Sequence, residues 1–129
     1  YRKSRVQDEG LIVVEVEMEL EEGDYDEILA KMKEYTERRT TKQPLNLPSG
    51  GSTFKRPKGY YAGKLIEDAG LKGMKLGGAQ VSEVHSGFIV NVDDATCDNV
   101  INLIKVVQKV VRDKYDVILE PEIKFVGEK

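Results

Sequence analysis

Cysteine and histidine each occur only once in the 129 residues. One cysteine excludes an internal disulfide framework and fits a reducing compartment, and one histidine cannot build a metal site. Cys97, in ATCDNV, has no histidine or second cysteine near it in sequence, so it offers no activated nucleophile. No apolar run approaches the roughly 18 residues of a membrane span, and the opening YRKSR runs into acidic sequence, unlike a signal peptide. Positive charge is not in excess either. Against 23 acidic residues stand 20 basic ones, a net charge of -3, which gives general nucleic-acid binding no electrostatic support. The glycine pairs form neither a Walker loop nor a dinucleotide fingerprint, and there is no internal repeat or low-complexity segment. What remains, at 40% apolar and 33% charged, is the composition of a globular protein with room for one ordinary core.

The densest chemistry lies at residues 49–57, SGGSTFKRP. Two adjacent glycines free the backbone and permit close approach of a ligand. Ser52 and Thr53 add small hydroxyls, Lys55 and Arg56 add two cations, and Pro57 stops any regular element. An anion site and an ordinary polar connection both fit this pattern. Arg38, Arg39 and Lys42 lie upstream, and guanidinium and ammonium groups together suit the oxygens of a phosphorylated ligand. Solvated cations balancing the many glutamates are the alternative.

The periodicities predict an α+β domain with helices packed on a mixed or antiparallel sheet. Residues 11–20, LIVVEVEMEL, alternate Val14, Val16, Met18 and Leu20 against Glu15, Glu17 and Glu19, the pattern of a half-buried strand. Asp24 can cap a helix whose Tyr25, Ile28, Leu29, Met32 and Tyr35 form a stripe expected to be core. Residues 40–58 contain three of the four prolines and read as a long loop. A short helix over residues 62–69 points Leu65 and Ile66 inward and ends at Gly70. Short strands follow across residues 72–92, with Phe88, Ile89 and Val90 buried. Thr96 caps the strongest helix, striped with Val100, Ile101, Ile104, Val107, Val110 and Val111. Residues 117–119 and 123–126 read as final short strands around Pro121.

Several stretches together, in this order, closely resemble the C-terminal part of the UDP-N-acetylenolpyruvoylglucosamine reductases, the MurB family of flavoenzymes in bacterial cell-wall synthesis. They are YRKS at the start, RRTTKQP, GSTFKRP, GYYAGKLIEDAGLKG, GGAQVSEVHSGFIVN and LEPEIKFVG. The resemblance runs over essentially the whole chain. It implies that residues 1–22 are the edge of an FAD-binding region, contributing a strand, and that residues 23–129 are the substrate-binding domain. Tyr1 stands where the family has sequence before it, so the chain reads as a fragment or processed piece whose N-terminal flavin-binding region is missing.

The resemblance further implies a cytoplasmic reductase, dependent on FAD and NADPH, that reduces the enolpyruvyl group of UDP-N-acetylglucosamine-enolpyruvate in peptidoglycan synthesis. Ser52 matches the family's proton donor, Glu122 the glutamate beside the enolic intermediate, and Arg2 the arginine that stabilises developing negative charge. Tyr1, Arg38, Lys42, Arg56 and His85 match positions near the bound UDP-sugar. No metal is implied. Arg2, Ser52 and Glu122 stand 50 and 70 positions apart, so only the fold can assemble them. The alternative function is a stand-alone nucleotide-sugar binding module without catalysis.

Overall fold

The computed structural model describes residues 3–127, which divide into two compact units, residues 1–33 and 34–129. The first begins with α1 (Arg5–Asp8), a single turn whose Ser4 hydroxyl accepts from Gln7 N at 3.3 Å. Residues 11–24 have no regular structure, and all of them are exposed, with Val14 93% and Leu20 82% accessible. The half-buried strand expected at residues 11–20 is therefore not formed. Alternation specifies which side chains share a face, but a strand also needs a neighbour for its N–H and C=O groups. The sheet of this chain contains no strand from this stretch.

Helix α2 (Tyr25–Lys42) starts as expected, with Asp24 Oδ1 accepting from Glu27 N at 3.0 Å. Its apolar stripe is a correction, because α2 has no buried residue, and Tyr25, Ile28, Met32 and Tyr35 are all exposed. Amphipathic spacing selects a face for burial without supplying what covers it. The helix also runs into the segment read as loop. Thr40 and Thr41 donate their hydroxyls back to the Glu37 carbonyl, at 3.0 and 2.9 Å, which keeps the last turn closed to Lys42.

The second unit is an antiparallel sheet in the order β1-β4-β3-β2, built from β1 (Ser49–Ser52), β2 (Lys75–Leu76), β3 (Ala79–Val81) and β4 (Phe88–Asn91). β1 lies inside the predicted loop. Its sequence, SGGS, has no strand propensity, and pairing with the buried β4 supplies the ladder instead. Helices α3 (Ala62–Asp68) and α4 (Cys97–Tyr115) complete the unit, with α4 packed on β2, β3 and α3. Leu65 and Ile66 of α3 are buried as expected.

Thr96 caps α4 as expected, and Asn99 completes a capping box with it, a contribution of about 1 kcal/mol. The stripe buries Ile104, Val107 and Val111, together with Leu103, which the spacing had not singled out. These side chains meet Ile66, Ala79, Val81, Ile89 and Leu119 in one apolar cluster. Residues 117–119 and 123–126 form no strands. The C-terminal segment makes one isolated bridge, Phe54 with Pro121, held by the flanking bonds from Lys55 N to Glu120 O and from Glu122 N to Thr53 O.

Gly78 ends the tight β2–β3 connection against the backbone ahead of α4. A methyl carbon placed on it would stand 1.7 Å from Asp93 O and 2.5 Å from Ala95 N. Both obstacles are backbone, so the clash cannot be relieved by a rotamer change. Gly78→Ala is expected to destabilise the fold by at least about 3 kcal/mol, read as the denaturation midpoint; a midpoint equal to the parent's would show that the connection is not packed in this way.

Candidate functional site

Strand β1 contains a bulge. Ser49 pairs with Val90 and Ser52 with Phe88, so three steps along β1 match two along β4. Gly51 takes φ +84°, the conformation that the extra residue needs, and Gly50 lies against Ile123, whose Cγ2 would be 3.2 Å from an added methyl. The two glycines thus have separate causes. Beyond the bulge the residues divide sharply: Ser52 is exposed, whereas Thr53 is 2% accessible.

Thr53 joins three segments. Its N–H donates to Gly87 O at 2.8 Å, its hydroxyl oxygen accepts from Ile89 N at 3.0 Å, and its carbonyl accepts from Glu122 N at 2.8 Å. Thr53 was read from sequence as a second hydroxyl for a ligand. Burial between β4 and the C-terminal segment makes it a structural bracket instead. The bracket fixes the backbone of Ser52 on one side and of Glu122 on the other, closing their 70-residue separation. His85, two residues before Gly87, joins the same neighbourhood. Glu122 is itself exposed.

The five cations of the sequence pattern have different fates. Lys55 is ion-paired with Glu120, and its backbone N–H also donates to Glu120 O at 2.8 Å. Arg38 pairs with Glu34 at 2.7 Å along α2, and Arg39 Nε donates to Gln43 Oε1 at 3.4 Å. Among the described residues, no carboxylate pairs with Lys42 or Arg56. Arg56 is nevertheless held: its guanidinium carbon lies 4.0 Å from the Tyr61 ring centroid, and its Nε donates to Tyr60 O at 3.3 Å. Ring and carbonyl orient the guanidinium, and among the described residues no carboxylate neutralises it. Tyr61 was not singled out from sequence; an aromatic five positions after an arginine has no local signature.

Not every expected residue joins this neighbourhood. Arg38 and Lys42 lie on α2, and among the described residues no hydrogen bond or ion pair ties them to β1 or to the Glu122 segment. Tyr1 and Arg2 lie outside the described residues. The cavity beside β1, about 310 Å³, is lined by Pro48, Gly50, Ile89, Val100 and Ile123 among others. With no cation and few polar side chains, its walls do not fit a flavin dinucleotide.

Thr53 thus joins the exposed Ser52 and the segment that carries Glu122 on an α+β scaffold, with Arg56 four residues along the chain from Ser52. The family model for the C-terminal domain of UDP-N-acetylenolpyruvoylglucosamine reductase matches residues 43–126. The chain belongs to that family and is its C-terminal domain.

The reductases of Alkaliphilus oremlandii and Caldanaerobacter subterraneus subsp. tengcongensis are 59% and 60% identical to it over 128 and 129 residues, 99% and 100% of this chain. The chain spans 42% and 43% of their lengths. A crystal structure of the Thermus caldophilus reductase (MurB) superposes with a TM-score of 0.64 at 36% identity, covering 81% of this chain and 37% of that one. No helix among the described residues is long and apolar enough to cross a membrane.

The bracket can be tested by itself. Thr53→Val keeps the shape but removes the oxygen that accepts from Ile89 N, leaving a buried N–H unpaired. Chemical denaturation is expected to show a loss of about 1–3 kcal/mol, whereas a stability equal to the parent's would mean that the hydroxyl contributes nothing to the junction.

Proposed function

We propose that this chain is the substrate-binding and proton-delivering part of a UDP-N-acetylmuramate dehydrogenase, acting on the CH–CH bond formed from the enolpyruvyl group of a UDP-sugar in peptidoglycan synthesis. On this reading residues 1–22 border the flavin region, residues 23–129 form the substrate domain, and the whole protein works in the cytoplasm in cell-wall biogenesis, and hence in cell shape and division. FAD, reduced by NADPH, supplies the hydride.

What this chain contributes concerns charge and protons. Reducing the enolpyruvyl double bond pushes negative charge toward the carboxylate as an enolate, which then takes a proton on the other carbon. Ser52 is assigned the proton donation. A hydroxyl is a weak acid, so it needs cations and a relay nearby; Glu122 is assigned a place beside the enolic intermediate, where it shares or donates a proton, and Arg2 the stabilisation of the enolate. Lys42 and Arg56 are assigned to the oxygens of the UDP-sugar, with Arg38, Tyr1 and His85 beside it. The observation that carries the reading is the 2.8 Å bond from Glu122 N to Thr53 O, which draws the carboxylate-bearing segment to the residue next to Ser52.

Ser52→Ala in the full-length enzyme removes the hydroxyl and leaves hydride supply intact. Stopped-flow absorbance should show flavin reduction by NADPH at the parental rate. Its reoxidation by the enolpyruvyl substrate should slow by about 10² to 10⁴, the usual contribution of general acid catalysis. Reoxidation at the parental rate would remove Ser52 from the mechanism. If no full-length form turned over substrate, the nucleotide-sugar binding module would be the better reading.

A further inference from the structure

Gly63 and Gly87 share a property that neither turn geometry nor backbone conformation explains. Neither has a positive φ, so neither is glycine for conformational reasons. Gly63 lies within α3, where glycine costs about 1 kcal/mol relative to alanine. Both make room for one side chain. A methyl carbon at Gly63 would stand 3.0 Å from His85 Cε1 and 3.2 Å from Gly87 N; one at Gly87 would stand 2.9 Å from His85 Cε1. The imidazole of the only histidine is thus seated on two glycines from different elements, with the Phe88 ring edge-on at 5.2 Å.

In this seat Nδ1 accepts from Gly87 N at 3.0 Å. An imidazole nitrogen that accepts carries no proton, so the neutral ring must carry its hydrogen on Nε2. The bond continues into the bracket, because the carbonyl of the same Gly87 accepts from Thr53 N, and the Thr53 carbonyl accepts from Glu122 N.

We propose that His85 is a positioning residue: its Nε2–H tautomer, seated on Gly63 and Gly87, holds Gly87 in place and so keeps Ser52 and Glu122 in register across Thr53. Protonation of Nδ1 removes the acceptor and turns the ring against the Gly87 N–H. The charged groups nearest in sequence on the packed elements are otherwise engaged. Lys64 of α3 pairs with Asp68 at 2.6 Å, and Glu83, on the ring's own loop, accepts from Gln80 Nε2 at 3.4 Å. Protonation of the ring acts on the Gly87 N–H because that is the bond its Nδ1 accepts.

The lock itself is tested without catalysis. Because His85 is the only histidine of the 129 residues, ¹⁵N-histidine labelling reports one ring. Nitrogen shifts of the neutral form should show a bare Nδ1 and a protonated Nε2, and the Gly87 and Thr53 amide signals should move with the ring's own titration midpoint. Gly63→Ala should unseat the ring and uncouple those amides from the titration while the chain stays folded. A proton on Nδ1, or amides that ignore the titration in the parent, would overturn the lock.

The consequence for turnover rests on the function proposed above and has its own readout in the full-length enzyme. His85→Ala should lower kcat by up to about 10²-fold, the scale of an ångström-sized misplacement. His85→Asn, whose amide oxygen can take the Gly87 N–H, should recover most of it. Parental kcat in both variants would overturn the positioning role. A silent Ser52→Ala beside an intact spectroscopic lock would instead overturn the assignment of Ser52.

Discussion

One buried threonine holds the candidate site together. The N–H, carbonyl and hydroxyl of Thr53 each meet a different partner, Gly87, Glu122 and Ile89, and Thr53 itself is buried, where an unmet polar group is costly. The bulge of β1, the return of the C-terminal segment and the turn before β4 are all tied to it. None of the three is a strong element alone. β1 is four residues of glycine and serine, and the C-terminal segment makes a single bridge. The apolar cluster of α4, α3 and the sheet provides the rigid wall on which these weak pieces can be fixed.

The charges around this junction serve two purposes. Lys55 and Glu120 form a partly exposed pair, of a kind that contributes at most about 1 kcal/mol to stability. Its effect is geometric, since the backbone bond between the same two residues already aligns the segments that carry Arg56 and Glu122. Arg56 is oriented by an aromatic ring and a carbonyl, neither of which cancels its charge. A side chain held in this way has less conformational entropy left to lose in any further contact.

Where a residue's neighbours are near in sequence, the sequence was legible. Asp24 and Thr96 cap the helices expected of them, Gly70 follows the end of α3, and Phe88 to Val90 are buried as their apolar run predicts. Failures occur where a partner must come from elsewhere. Residues 11–20 have the alternation of a strand with no strand beside them, and the stripe of α2 has the spacing of a core helix with no core against it. β1 is the opposite case, a strand without strand-like sequence, formed because β4 offers a ladder. Residues 117–119 and 123–126 have the apolar runs of short strands, yet only the Phe54–Pro121 bridge forms there. That Glu122 belongs near Ser52 came from a family resemblance, since no spacing rule links positions 70 apart.

The sequence by itself determined the starts of α2 and α4 with their caps, the buried face of α3, the apolar face of α4 and the family to which the chain is similar, because these depend on short-range periodicity or on the order of residues. Tertiary structure decided which hydroxyl is buried and which is exposed at positions 52 and 53, which cations are already paired, and why Gly63 and Gly87 have no side chain. Each of those outcomes is set by a contact across the sheet or between distant segments. Neighbours on the chain constrain torsions, whereas burial and hydrogen-bond pairing are fixed only when the packed elements meet.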